Sequence, residues 1–452
     1  MYRTLRKYQK PMLRYLLKVQ HGALYVQMRL GKTIVCIRTI KIKNLKHILI
    51  VCPNSAIFGW ERELQLENQY EKGIINLQGT RQYRSDLLKN HFYTTRWFLI
   101  NKEGYLALPE LVNYPFDGLV LDESTFIKGA YSTRKGCGVS RFYCENFRKV
   151  SHRYILTGTP APEGEMDYYN QLRFLDHNNW KEKNYWAFKH KNFGTIAFRD
   201  YITPEASKYL EDVLARNCYF LTRNQVKLGG KKIFETRTCK MTKRARAMYN
   251  RAEKEMVLEW GGGRLDTIFA TTKYIWLRRL CGGFADKEFI SYAKLNELFN
   301  LLTNELKDEP TIIICKHKNE VEKVCKFLRK HWRVEYIHGG ITKKQRVDIQ
   351  KKFMNSELDH IVAQPDTIAY GVDLSRSDTL IVYTAPDKGV VWMQVQDRII
   401  NTATNDASLI VFLIMENTIE GDKILNLEGK ESTQDMTRRS VQRLQRKYGL
   451  IK

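Results

Sequence analysis

Ala23-Leu24-Tyr25-Val26-Gln27-Met28-Arg29-Leu30-Gly31-Lys32-Thr33 is the stretch that decides the fold. An apolar run, Ala23 to Val26, stops at a loop, and a helix-like segment, Ile34 to Ile40, starts directly after Gly31-Lys32-Thr33. The order is strand, phosphate-binding loop, helix. Backbone N–H groups at such a helix start wrap phosphate oxygens, Lys32 supplies positive charge, and the Thr33 hydroxyl reaches a magnesium ion. A second apolar run, Leu119-Val120-Leu121, ends in Asp122-Glu123. Nucleotide hydrolysis needs that pair as well: one acid, Asp122, to hold the metal, and one, Glu123, to position or deprotonate a water. Either string alone is weak, since Gly-Lys-Thr arises by chance and two acids after a strand often cap the next helix. In this order and at a one-lobe spacing they point to a nucleoside triphosphatase using Mg2+.

The composition is compatible with such an enzyme and narrows its partner. The chain has 452 residues, 43% of them hydrophobic and 12% aromatic, enough for two or three domains. No apolar run approaches the ~18 residues of a membrane span, and the basic N-terminus lacks the apolar core of a signal peptide. Nine cysteines are scattered without a C-x-x-C pair, so a structural zinc site is not expected and the thiols read as reduced. Lys and Arg number 75 against 49 Asp and Glu, a formal net charge of +26. Such an excess repels itself unless a polyanion offsets it, and nucleic acid is the leading partner. A basic proteome or a membrane-surface role is the plainer alternative. The basic residues run the whole length rather than along one amphipathic helix, which favours nucleic acid.

Alternation continues along the chain. Apolar runs at 23–26, 47–52, 97–100, 118–121 and 153–156, with helix-like pieces at 11–19 and 60–67, predict a parallel sheet flanked by helices. The stretch 176–203 is polar and aromatic without a clear period and reads as a small insertion. The second half repeats the pattern, with strands expected at 311–315, 334–337, 360–363, 379–383 and 408–414 and helices at 320–329 and 343–353. Gly261-Gly262-Gly263 reads as a loop and Arg438 to Lys452 as a basic amphipathic helix. The result is an α/β protein of two lobes, 1–215 and 216–452, with the boundary in the interval Arg216 to Lys232. A cleft between lobes can open and close with nucleotide state.

The order of segments resembles the superfamily 2 helicases, and within them the Swi/Snf-type DNA translocases in a compact, viral-like form. Leu5-Arg6-Lys7-Tyr8-Gln9 looks like that family's adenine-reading segment, with Gln9 as the amide. Leu49-Ile50-Val51-Cys52-Pro53-Asn54-Ser55, followed by Trp60 and Glu63-Leu64, is similar to its first DNA-contact segment, and Asn101-Lys102-Glu103 to the next. Asp122-Glu123-Ser124-Thr125, with Lys128 behind, stands where the family has Asp-Glu-Ala-His. Arg153-Tyr154-Ile155-Leu156-Thr157-Gly158-Thr159-Pro160 resembles the segment linking hydrolysis to DNA grip. Trp276-Leu277-Arg278-Arg279-Leu280-Cys281-Gly282-Gly283-Phe284 resembles the inter-lobe helix, and Ile337-His338-Gly339-Gly340 the segment after it. Tyr370-Gly371-Val372-Asp373-Leu374 looks like the segment touching both DNA and ribose, and Gln394-Val395-Gln396-Asp397-Arg398 like the final one, whose Arg398 neutralises phosphate charge. The resemblance implies two tandem RecA-like lobes. It also implies ATP and Mg2+ as cofactors and nucleotide contacts at Gln9, Gly31, Lys32, Thr33, Gly371, Asp373 and Arg398. Pro53, Ser55, Asn101 and Thr367 are the implied DNA contacts, and the protein is expected to be a cytoplasmic monomer, in host cytoplasm if viral.

Departures accompany the match. Arg29 replaces a glycine, so the loop cannot use left-handed geometry freely there. Thr125 stands for His, Ile368-Ala369 for a double glycine, and Asn401 for the second arginine of the final segment, often the arginine finger. The leading function is an ATP-driven motor on duplex or branched DNA, remodelling forks or four-way junctions. The rival is a DNA-binding scaffold with a degenerate, slow or inactive ATP site, supported by Arg29 and Asn401. An RNA helicase would show an Asp-Glu-Ala-Asp string and the matching final segment, and neither is present.

Overall fold

Apolar runs with no polar alternation belong to strands covered on both faces, as in parallel sheets wrapped by helices. The computed structural model describes residues 3–129, 138–182, 184–196, 199–228, 231–255, 257–260, 263–266, 270–285, 288–369, 372–387, 389–399, 407–421 and 424. They fall in two units, one up to Lys227 and one from Leu228 to Gly429. Gly261, Gly262, Tyr370, Gly371, Asn401 and the segment 438–452, all singled out in the sequence, lie outside the described residues.

In the first unit the strands are β1 (His21–Val26), β2 (Ile48–Cys52), β3 (Ile74–Asn76), β4 (Trp97–Asn101), β5 (Gly118–Asp122) and β6 (His152–Thr157). After them come a hairpin, β7 (Phe193–Ile196) and β8 (Arg199–Ile202), and then β9 (Cys218–Leu221). Seven of them form one parallel sheet in the order β3-β4-β2-β5-β6-β1-β9. All five residues of β2 are buried, as are five of the six in β1. β3 and β9 escape sequence reading: β3 has three half-buried residues, and β9 follows its helix, Pro204–Asn217, without a break. β9 pairs with β1, so the first sheet extends beyond residue 215 into the interval where the boundary was expected. The aromatic insertion is ordered around Trp180, whose ring lies 4.6 Å from Phe188 and 5.9 Å from Tyr169.

The second unit opens with β10 (Lys232–Cys239), followed by two hairpins, β11 (Val257–Trp260) with β12 (Gly263–Asp266) and β13 (Phe284–Ala285) with β14 (Glu288–Phe289). Then come β15 (Thr311–Ile314), β16 (Val334–Ile337), β17 (His360–Ala363), β18 (Thr379–Val382) and β19 (Ser408–Met415). The parallel sheet runs β10-β19-β18-β15-β17-β16. Alternate residues of β15 enter opposite cores: Ile312 and Ile314 pack with Trp392 and Val395, Ile313 with Val321 and Leu328. The helix Lys343–Met354 starts at a capping box in which Gln345 N–H donates to Thr342 Oγ1 at 3.2 Å and Thr342 N–H to Gln345 Oε1 at 2.9 Å. Each unit is thus the helix-flanked parallel sheet expected of a RecA-like lobe. No helix among the described residues is long and apolar enough to cross a membrane.

Candidate active site

β6 lies between β5 and β1, with Asp122 opposite Leu156 and Thr157 opposite Tyr25. The carboxyl ends of these three strands therefore open side by side, where ligands sit in parallel α/β sheets. The loop after β1 turns into the helix Lys32–Ile42 at Gly31, whose φ of +81° is left-handed. A Cβ on Gly31 would stand 2.1 Å from Gln9 Nε2, so both backbone and space demand glycine. Gln9, 7% exposed, donates from Nε2 to Leu30 O at 3.2 Å and accepts from Arg6 N–H at 2.9 Å. The amide expected to read adenine is thus seated against the loop.

Arg29 takes the left-handed geometry that a residue other than glycine cannot use freely. Its φ is +64°, so the loop takes the left-handed geometry without a glycine, at a backbone cost of about 1–2 kcal/mol. The Lys32 ammonium folds back over the loop and donates to Val26 O at 2.8 Å and Gln27 O at 3.4 Å. Thr33 lies beside it in the first helical turn, half-buried.

Asp122 ends β5. Its Oδ2 accepts the Trp60 indole N–H at 2.8 Å and its Oδ1 the Glu123 backbone N–H at 3.1 Å. Burial pushes this carboxyl up from its usual range, while the Trp60 hydrogen bond, the Lys32 charge and the Glu123 amide pull it back. Burial also pushes the Cys36 thiol up, and the Asp122 charge adds to it. Lys32 and Cys36 are one helical turn apart on one face, so Asp122 faces that side of the helix. A carboxylate and a hydroxyl, both hard oxygen donors, suit Mg2+, which takes its other ligands from water and phosphates. No cluster of three or more His, Cys, Asp or Glu that could hold a metal occurs among the described residues.

Glu123 is left-handed at φ +51°. Its N–H donates to Leu156 O at 2.7 Å, and Thr157 Oγ1 donates to its Oε2 at 3.2 Å. Thr159 N–H donates in turn to Thr157 Oγ1 at 3.2 Å, so the hydroxyl-rich turn holds the second acid directly. Behind it, Gln171 accepts from Ser124 Oγ at 2.6 Å and donates to Pro160 O at 2.6 Å and Asp167 O at 2.9 Å.

Pro53 and Ser55 follow β2, and Asn101 ends the neighbouring β4, paired with Cys52. These three DNA candidates of the first unit share one edge. In the second unit, Thr367 lies in the short helix Pro365–Ile368, its hydroxyl 2.7 Å from Gln364 O and 3.2 Å from Ile337 O. Asp373 Oδ1 accepts from Ser375 N–H at 3.2 Å. Arg398 donates from Nε to Ala369 O at 3.1 Å, which ties the final segment to the chain just before Gly371.

Residues 8–281 match the SNF2-related domain, and residues 293–403 the helicase conserved C-terminal domain. The chain belongs to the SNF2-related family. It is 24% identical over 405 residues to protein p41 of Acyrthosiphon pisum secondary endosymbiont phage 1, covering 84% of this chain and 85% of that protein. It is 26% identical over 206 residues to DNA repair protein RAD5 of Yarrowia lipolytica, covering 40% of this chain and 18% of that one. Over 188 residues it is 30% identical to the chromatin structure-remodeling complex protein SYD of Arabidopsis thaliana, covering 38% and 5%. The chain thus spans most of the phage relative and under a fifth of these two eukaryotic ones. A solved Sulfolobus solfataricus SWI2/SNF2 ATPase core in complex with dsDNA is 19% identical, with a TM-score of 0.46, covering 98% of this chain and 94% of that one.

Two polar residues of this SNF2-related fold carry site geometry that the sequence does not assign. Trp60 appears in the sequence only as part of a family string, and nothing local pairs it with Asp122. Gln171 is a wholly buried amide in the helix Tyr168–Leu175, beside the equally buried Asn170, and no local string marks it.

Proposed function

We propose that the protein is an ATP hydrolase coupled to movement along DNA, acting on duplex or branched DNA such as forks and four-way junctions. The observation that carries this reading is the convergence of Lys32, Asp122 and Glu123 at the adjoining ends of β1, β6 and β5. In this reading Lys32 leaves the carbonyls of Val26 and Gln27 for phosphate oxygens, and loop N–H groups take the remaining ones. Thr33 and Asp122 hold Mg2+, which when bound screens the charge on the phosphates. Glu123, oriented by Thr157, draws a proton from the attacking water. From the second unit, Gly371, Asp373 and Arg398 are the proposed nucleotide contacts, with Arg398 the group proposed to meet the charge that develops on the transferring phosphoryl.

DNA is the proposed partner because the chain carries +26 and belongs to a family with repair and remodelling members. Pro53, Ser55, Asn101 and Thr367 are the proposed backbone contacts, and phosphate contacts of this kind track the duplex without reading its sequence. The protein is proposed to act as a monomer in cytoplasm, that of the host cell given its phage relative. A DNA-binding scaffold with a slow ATP site remains the alternative that Arg29 and Asn401 favour. Branch migration of a labelled four-way junction with ATP, with a non-hydrolysable analogue and with no nucleotide tests the reading. ATP-dependent conversion of the junction to duplex products supports it; conversion indifferent to nucleotide, or binding without conversion, favours the scaffold.

A further inference from the structure

The helix Ile57–Leu66 grips three parts of the first unit. Its N-terminal end continues the short turn Asn54–Ala56 after Pro53, one of the proposed DNA contacts. One turn in, Trp60, 2% exposed, donates its indole N–H to Asp122 Oδ2 at 2.8 Å. At the far end Glu67, wholly buried, receives both arms of Arg38, Nε to Oε2 at 2.9 Å and Nη2 to Oε1 at 3.1 Å. Lys41 Nζ adds a bond to the Glu67 carbonyl at 3.0 Å. Arg38 and Lys41 lie on the helix Lys32–Ile42, the one that begins with Lys32 and Thr33.

We propose that this helix transmits DNA contact to the nucleotide site, with Trp60 and the Arg38–Glu67 fork as its two positioning contacts. The inference rests on the reading of the site as a DNA-dependent ATP hydrolase. Ten helical residues span about 15 Å and move as a body. A displacement imposed on Asn54–Ala56 by DNA phosphate is therefore delivered at once to the metal-holding carboxylate and to the helix that carries Lys32. Both receiving contacts are directional. The indole fixes Oδ2 of Asp122 while the Glu123 N–H holds Oδ1, and a bidentate guanidinium–carboxylate pair fixes orientation as well as distance.

A purely structural role gives a different expectation. A buried indole N–H needs some acceptor, and losing it would then cost stability and leave communication between DNA and ATP intact. Trp60→Phe keeps a buried ring and drops the donor; Arg38→Lys keeps the charge and drops the fork. Two quantities are measured for each: the ratio of ATP turnover with saturating duplex DNA to turnover without it, and duplex affinity with and without a magnesium–ATP analogue. Because coupling between two ligands is reciprocal, the second reads the same link at equilibrium. The proposal expects both variants to lose roughly 5-fold or more of the turnover ratio and a like share of the nucleotide effect on DNA affinity. Nucleotide-free DNA binding stays near wild type. A folded variant with both quantities unchanged overturns it, and should Trp60→Phe fail to fold, Arg38→Lys decides alone. Wild-type turnover indifferent to DNA removes the underlying reading, and this proposal with it, before any variant is compared.

Discussion

Replacing Gln171 by Leu tests the buried ring behind the acid pair. Gln171 is wholly buried, and its amide joins Ser124, next to Glu123, to the carbonyl of Pro160 in the hydroxyl-rich turn. Leucine fills most of the same volume and pairs with neither. The Ser124 hydroxyl and the Pro160 carbonyl are then stranded in the core at about 1–3 kcal/mol each, which gives a cost of about 2–6 kcal/mol. Adding Ser124→Ala removes one of the stranded groups and should return about 1 kcal/mol, so the pair is strongly non-additive. Because two-state behaviour is not the rule for chains of two units, the assay is amide hydrogen exchange on β1, β5 and β6 across a urea series. A cost under about 1 kcal/mol for Gln171→Leu, or a double variant whose cost is the sum of the singles, would refute the account of this ring.

Further outcomes follow from the same geometry. Glu123→Gln should retain ATP binding while turnover falls by about 10²-fold or more, and near-normal turnover would remove its role as base. Gly31→Ala should destabilise the loop by about 1–2 kcal/mol and weaken ATP binding, since φ is +81° and the new methyl displaces the Gln9 amide; an unchanged melting temperature would contradict this. Burial holds His360 and His317 down at about 4, below the ordinary 6.5. In the unfolded chain both protonate first as pH falls, so stability is fully present above pH ~6.5 and is lost progressively toward pH 4. Melting temperatures across that window should drop for wild type and less for His360→Gln; parallel curves would show that His360 is not responsible. Arg398→Ala should abolish most turnover. Asn401→Arg should raise it by about 10-fold if no other arginine serves as finger, and an inert pair of variants would detach the final segment from catalysis.

Much of the fold was legible because parallel strands buried on both faces leave unbroken apolar runs. The runs at 334–337 and 360–363 are strands with those same bounds. β10 was not legible. It is an edge strand in which the adjacent Ile233 and Phe234 are both exposed and only Cys239 is buried, so neither an unbroken apolar run nor a clean alternation marks it. Within the site, Lys32, Asp122 and Glu123 were legible because each sits in a local string at a strand end. The groups that orient them were not, since Trp60 is 62 residues from Asp122 and Ser124 is 47 from Gln171. Arg29 shows the reverse: the tertiary frame imposes a backbone conformation that its own residue type disfavours.

In the proposed function Lys32 and the acid pair turn over ATP in response to DNA. Steady-state ATP turnover of the wild-type chain and of Lys32→Ala, each with and without duplex DNA, tests it most directly. Turnover in wild type should rise on addition of duplex and be absent in Lys32→Ala under both conditions. Equal turnover in the two proteins, or wild-type turnover that ignores duplex DNA, would contradict it.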